Sequence, residues 1–91
     1  MNGHVENQGL RAYEARLNIT HDGRNGDYVE PVAFDASNAQ PKAMAADAIR
    51  AGLLGPARGR VNLGGYVVDR FPASERFPVN RLFLRPKTPF G

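Results

Sequence analysis

Hydrophobic and polar residues alternate without a break from Tyr13 to Thr20. Tyr13, Ala15, Leu17 and Ile19 fall on one side, and Glu14, Arg16, Asn18 and Thr20 on the other. Period two over a stretch of this length predicts a half-buried strand. HDGRNGD follows, and its Asp-Gly and Asn-Gly pairs supply the positive φ angles that a hairpin turn needs. YVEPVAFD is the returning strand, with Tyr28, Val32 and Phe34 on one face. Pro31 has no amide hydrogen to give a ladder, which predicts an edge strand or a bulge there. The period then becomes helical. Met44, Ala45, Ala48, Ile49, Gly52 and Leu53 share one side, with Lys42, Asp47 and Arg50 opposite. Ser37 or Asn38 can cap the start, Pro41 fits the first turn, and Gly55-Pro56 supplies a stop, so the helix is expected over 39–54. RVNLGGYVVDRF is strand-like, with a bulge or bend at Gly64-Gly65. PASERFP is a loop. VNRLFLR closes the pattern, with Leu82 and Leu84 on one face and Arg81, Phe83 and Arg85 on the other.

The order β-β-α-β-β predicts an α+β domain in which one helix packs across a single sheet. A β-grasp is the first expectation, because a right-handed crossover would set the last strand parallel to the first. A plain antiparallel meander is the competing topology. The helix should pack Met44, Ile49 and Leu53 against Leu17, Ile19, Val32, Phe34, Leu82 and Leu84. Residues 1–11 are polar and aperiodic and read as a loose leader, 12–85 as the folded domain, and 86–91 as an extended tail.

Composition narrows the choices. A chain of 91 residues allows one domain with a modest core. There is no cysteine, which removes disulfides, thiolate metal sites and thiol nucleophiles, and fits a reducing, cytoplasmic setting. Residues 1–15 hold no apolar run of signal-peptide length, and no segment approaches a membrane span. Asn18-Ile19-Thr20 matches a glycosylation acceptor but falls within a strand and reads as a chance match.

Charge is uneven. Four basic and seven acidic residues lie in 1–49, whereas eight basic and two acidic lie in 50–91, so the halves carry −3 and +6. The excess is mostly arginine, which pairs bidentately with carboxylates and phosphates alike. The two histidines, His4 and His21, have no second ligand at a useful spacing, so no metal site is expected. Asp22, Asn25 and Asp27 are better explained by turn chemistry than by calcium. Gly64-Gly65 lacks the following helix that a phosphate cradle needs, and Ser37 and Ser74 have no evident base. No enzyme activity and no cofactor are expected. Arg81, Phe83 and Arg85 form a basic-aromatic triplet on one strand face, with Tyr66 and Arg70 as candidates to extend it. Such a triplet suits single-stranded nucleic acid or an acidic protein surface.

The ending NRLFLRPKTPFG raises a second possibility. Pro86 and Pro89 stop the last strand from pairing further, Lys87 and Thr88 favour water, and Phe90 and Gly91 finish the chain. A compact β-β-α-β-β body, Leu84-Arg85 at the end of a strand and a short tail ending in glycine resemble the ubiquitin-like β-grasp proteins, the small sulfur carriers included. The resemblance covers residues 12–91 in element order. It implies a modifier or carrier with no catalysis of its own, activated at the Gly91 carboxylate by a partner adenylating enzyme and passed to a target protein. Arg85, Pro86, Lys87 and Phe90 would then be the tail that the enzyme reads. A tail beyond Arg85 reaches about 20 Å at ~3.3 Å per residue, and glycine leaves its carbonyl open to attack. Members commonly end in two glycines, where this chain has Phe90-Gly91.

Overall fold

The structure, a computed structural model, describes residues 9–57 and 59–87. Its elements are β1 (Glu14–His21), β2 (Arg24–Asp27), β3 (Val32–Ala33), α1 (Ala39–Arg50), β4 (Val67–Phe71) and β5 (Asn80–Arg85). They form one mixed sheet of order β2-β1-β5-β4, with β3 also paired to β1. β1 and β5 run parallel at the centre, Leu17 opposite Leu82 and Ile19 opposite Leu84; the other pairings are antiparallel. Among the described residues the fold is therefore α+β with a single sheet and one helix, and the plain antiparallel meander is not what forms.

The hairpin turns at Asp22-Gly23, with φ of 54° and 77°, between the paired residues His21 and Arg24. Two consecutive positive φ angles make the two-residue turn whose twist matches the flanking strands. Asn25-Gly26, an equally good turn pair by type, lies inside β2. The reason is tertiary. A Cβ at Gly26 would sit 2.8 Å from Leu54 Cδ2, so the bare backbone lets Leu54 close the core. Asn25 faces the other way and exchanges amide hydrogen bonds of 2.7 and 3.1 Å with Asn18.

The returning strand is broken at Pro31, as the missing amide predicts. Asp27 pairs with Asn18 and Val32 with Ala15, so the returning side carries two more residues than β1 over this interval. Tyr28 still donates its amide to the Leu17 carbonyl at 2.8 Å, and Val29-Glu30-Pro31 bulges into solvent. Tyr13 departs from the predicted core face. It precedes β1 in a turn and is 61% exposed.

The helix ends earlier than the Gly55 stop implied. Gly52 takes φ 94°, its amide donates to the Ile49 carbonyl (3.1 Å), and that of Leu53 to the Ala48 carbonyl (2.9 Å). This paired bond pattern is the Schellman termination. Consequently Leu53 lies beyond the helix and is 38% exposed, while Leu54 takes the core position expected of it. Pro41, Ala45, Ala48 and Ile49 form the buried stripe, and their small side chains permit close approach to the sheet. Met44 and Phe34 pack at the margin rather than within.

Leu17, Ile19, Leu82 and Leu84, all at 0% exposure, form the centre of the core. Each contributes about 1.5–3 kcal/mol by burial. Leu10 is also buried, and Arg11 exchanges hydrogen bonds with Glu14, so 9–11 are tied to the domain rather than to a leader. Residues 1–8 and 88–91 lie outside the described residues. The segment 61–66 is not a strand. Leu63 is buried within it, and a turn closed by Tyr66 N–H on the Leu63 carbonyl (3.0 Å) leads into β4. Among the described residues no helix is long and apolar enough to cross a membrane.

Candidate docking face

The alternation that buries Leu17, Ile19, Leu82 and Leu84 under the helix sends their neighbours to the opposite face of the sheet. One row there reads Asp27, Asn18, Phe83, Asp69, and the next reads Arg16, Arg81, Phe71. Loop 72–79 then folds back over the second row. Its shape is held by the Ser74 amide on the Phe77 carbonyl (2.7 Å), the Phe77 amide on the Ser74 hydroxyl (3.2 Å) and the Ala73 amide on the Asn80 side chain (2.7 Å). Asn80 also donates to the carbonyls of Ala12 (2.8 Å) and Glu14 (3.0 Å), which pins the loop to the start of β1.

The result is a guanidinium among rings. The Arg81 Cζ lies 4.3 Å from the Phe77 centroid, 5.4 Å from Phe71 and 5.5 Å from Phe83. Phe71 and Phe83 contact each other at 5.3 Å, tilted by 50°. Each cation–ring contact is worth ~0.5–1 kcal/mol when exposed and more when water is excluded. Phe71 and Phe77 remain 43% and 45% exposed, so two ring faces beside the guanidinium stay open to solvent. Arg81 Nε is buried and has no hydrogen-bond partner, while the side chain as a whole is half-buried. Beside it, Arg16, Asp27, Phe77, Pro78, Arg81 and Phe83 border a shallow depression.

The structure thus places Arg81, Phe83 and Arg85 on one face of the sheet, but not Arg70 or Tyr66 with them. Arg85 lies on the same face and is engaged with Asp69 (Nε to Oδ2, 2.7 Å), an exposed pair worth ~1 kcal/mol at most. Arg70 points to the helix side. It donates to the carbonyls of Phe34 and Ala36 and to Asn38 Oδ1, and so fastens β4 to the segment that starts the helix. Tyr66 is also on that side, hydrogen-bonded to His21 Nδ1 at 2.6 Å. Burial, and secondarily the negative charge of Asp22, raise its phenol pKa. Both residues serve the interior rather than the outer face, because β4 alternates and Tyr66 precedes it. In the tail, Pro86 is half-buried and Lys87 exposed, and both carbonyls accept from Arg85 Nη1. Phe90 and Gly91 fall outside the described residues.

Phe71, Phe77 and Asp69 are functional candidates that the sequence reading missed. Alternation in VVDRF would have put Asp69 and Phe71 on one face. Nothing local signals that Phe77 returns over Arg81. Among the described residues no group of three or more His, Asp or Glu side chains is placed to hold a metal.

The basic excess of the second half is dispersed by these contacts. Arg70 lies on the inner face, Arg85 is paired with Asp69, and Arg50 is paired with Asp47 at 3.2 Å. Asp27 and Asp69 share the outer face with Arg16 and Arg81, so the face is of mixed charge. No protein-family model matches the chain, and neither the curated proteins nor the solved structures contain a match to it.

Proposed function

We propose that this chain is a non-enzymatic docking module that binds another protein through the outer sheet face centred on Arg81. The observation that carries the reading is the ring-held guanidinium, flanked by exposed Phe71 and Phe77. Arginine and aromatic side chains grouped in a half-desolvated centre are what interface hot spots are built from. A protein partner is favoured over nucleic acid because Asp27 borders the same depression and Asp69 takes up Arg85. A run of phosphates would meet both carboxylates, and phosphate binding needs cations that outnumber them. Selecting random displayed peptides against the intact protein, with counter-selection against the Phe77→Ala/Arg81→Ala variant, tests the reading. A peptide class retained by the first and lost by the second is expected. Enrichment that ignores the variant refutes the reading.

A second reading, compatible with the first, is the ubiquitin-like modifier or carrier activated at Gly91. It is supported by the parallel central pair β1–β5 with the helix on one face, an arrangement compatible with a β-grasp. A modifier also needs a face that its partners recognise, and a cysteine-free chain suits the cytoplasm. Incubation with ATP and an adenylating enzyme, followed by intact mass under non-reducing conditions, tests it. An adenylate, thioester or thiocarboxylate at Gly91, absent when Gly91 is deleted, is the expected product. An unmodified terminus across candidate activating enzymes counts against it.

A further inference from the structure

We infer that Arg81 receives a single carboxylate side chain from a peptide segment of the partner, while the adjoining Phe77–Pro78 depression receives the apolar residue beside that carboxylate. The inference rests on the docking reading above and assigns the chemistry of its ligand.

It begins from how the arginines are used. Arg24 donates to the Leu54 carbonyl, Arg50 pairs with Asp47, Arg70 holds two carbonyls and Asn38, and Arg85 pairs with Asp69. Arg81 differs from these four. It is placed by rings alone, with no hydrogen-bonded or ion-paired partner in the described structure. Nε is closed off, so the donors left for a ligand are those of the two terminal nitrogens, which form a planar fork. A carboxylate matches that fork with two parallel N–H···O bonds. The rings hold the fork in place, which reduces the rotamer entropy lost on binding. They also exclude water from one side, which strengthens the charge-assisted bonds.

The surroundings select among anions. The Arg81 guanidinium supplies one positive charge, and Asp27 borders the same depression. One negative charge at Arg81 is therefore accommodated, whereas a second placed toward Asp27 is repelled. Asp27 already accepts from Asn18 Nδ2 at 2.7 Å and keeps acceptor capacity for a partner amide or ammonium. Phe77 and Pro78 offer apolar surface within one residue spacing of the fork. Together these features describe an acidic residue next to an apolar one, in a segment that is not uniformly acidic.

The test uses a panel of capped octapeptides in which one Glu or Asp adjoins Leu, Ile or Phe. Each is paired with its Gln or Asn isostere and compared with a single-stranded oligonucleotide. Binding is followed by ¹⁵N–¹H shifts of the full-length protein, the Arg81 Nε–H included. Acidic–apolar peptides should perturb Arg81, Phe77 and Phe83, and the isostere should bind about tenfold more weakly or worse. Arg81→Gln should erase the difference between acid and isostere. Arg81→Lys, which retains charge without the fork, should keep only part of it. Both variants lose ring contacts and should melt a few degrees lower, so binding is compared well below their melting temperatures, with the amide spectrum away from the face unchanged. Equal binding of acid and isostere at this face would overturn the carboxylate assignment and leave the docking reading standing. Preferential, Arg81-dependent binding of the oligonucleotide would overturn both. A panel that leaves the face unperturbed overturns the assignment, and the displayed-peptide selection then decides the docking reading separately.

Discussion

Replacing Gly26 by alanine tests the central tertiary contact that displaced the turn. The new Cβ would lie 2.8 Å from Leu54 Cδ2 and 3.8 Å from Leu53 Cγ, where ordinary contact begins at 3.4 Å. Leu54 must therefore withdraw by about 0.6 Å or more, and it is only 8% exposed, so it withdraws into packed neighbours. Overpacking of this kind costs ~1–3 kcal/mol. Alanine recovers ~0.5–1 kcal/mol of the backbone entropy that glycine loses in a strand. A net loss centred on about 1.2 kcal/mol follows, a fall of several degrees in melting temperature for a domain of this size. Urea unfolding at constant m-value measures it directly. Leu54→Ala alone should cost ~2–5 kcal/mol through the cavity it leaves. In the double variant the methyl group added at position 26 enters that space, so the combined loss should fall short of additivity by ~0.5 kcal/mol or more. Gly65→Ala is the control. Nothing lies within 4 Å of a Cβ there and φ is not positive, so stability should hold or rise by ~0.4–1 kcal/mol. Gly26→Ala as stable as the parent, or strictly additive with Leu54→Ala, would refute the claim that Leu54 rests on a bare backbone.

Three further outcomes are expected. Leu17→Ala, at a fully buried position between β5 and the hairpin, should lower unfolding free energy by ~2–5 kcal/mol, read from the urea midpoint. Arg70→Gln should cost ~1–3 kcal/mol by leaving the Phe34 and Ala36 carbonyls without their donor; Arg70→Lys should restore only part, since an ammonium cannot reproduce the fork. Tyr66 has its pKa raised, chiefly by burial and then by Asp22, so the folded chain holds a proton that the unfolded chain releases near pH 10. Its contribution is complete below that pH and is lost as pH rises through the folded value; urea midpoints from about pH 8 to 11 should fall for the parent and lack this component in Tyr66→Phe.

Much of the architecture was written locally. Strict alternation in β1 and β5 determined which residues are buried, because side chains in a strand alternate with period two whatever they meet. The helical stripe of Ala45, Ala48 and Ile49 and the break at Pro31 were likewise local, since both follow from backbone geometry and a missing donor. Three things required the tertiary structure. Asp22-Gly23 and Asn25-Gly26 are equivalent as turn formers, and the choice was made by Leu54 arriving from beyond the helix to need the space over Gly26. Gly52 and Gly55 are equivalent as helix stops, and the earlier one prevails because it turns Leu54 inward. The site depended most on distant contacts. Arg81 and Phe83 were legible as a pair on one face, but Arg70 and Tyr66 were drawn inside by carbonyls and a histidine far away in sequence. Phe77 joined Arg81 only because Asn80 and Ser74 fold its loop back over the sheet. Periodicity reports the face a residue occupies within its own element; which faces and loops meet is decided by packing between elements that no local pattern encodes.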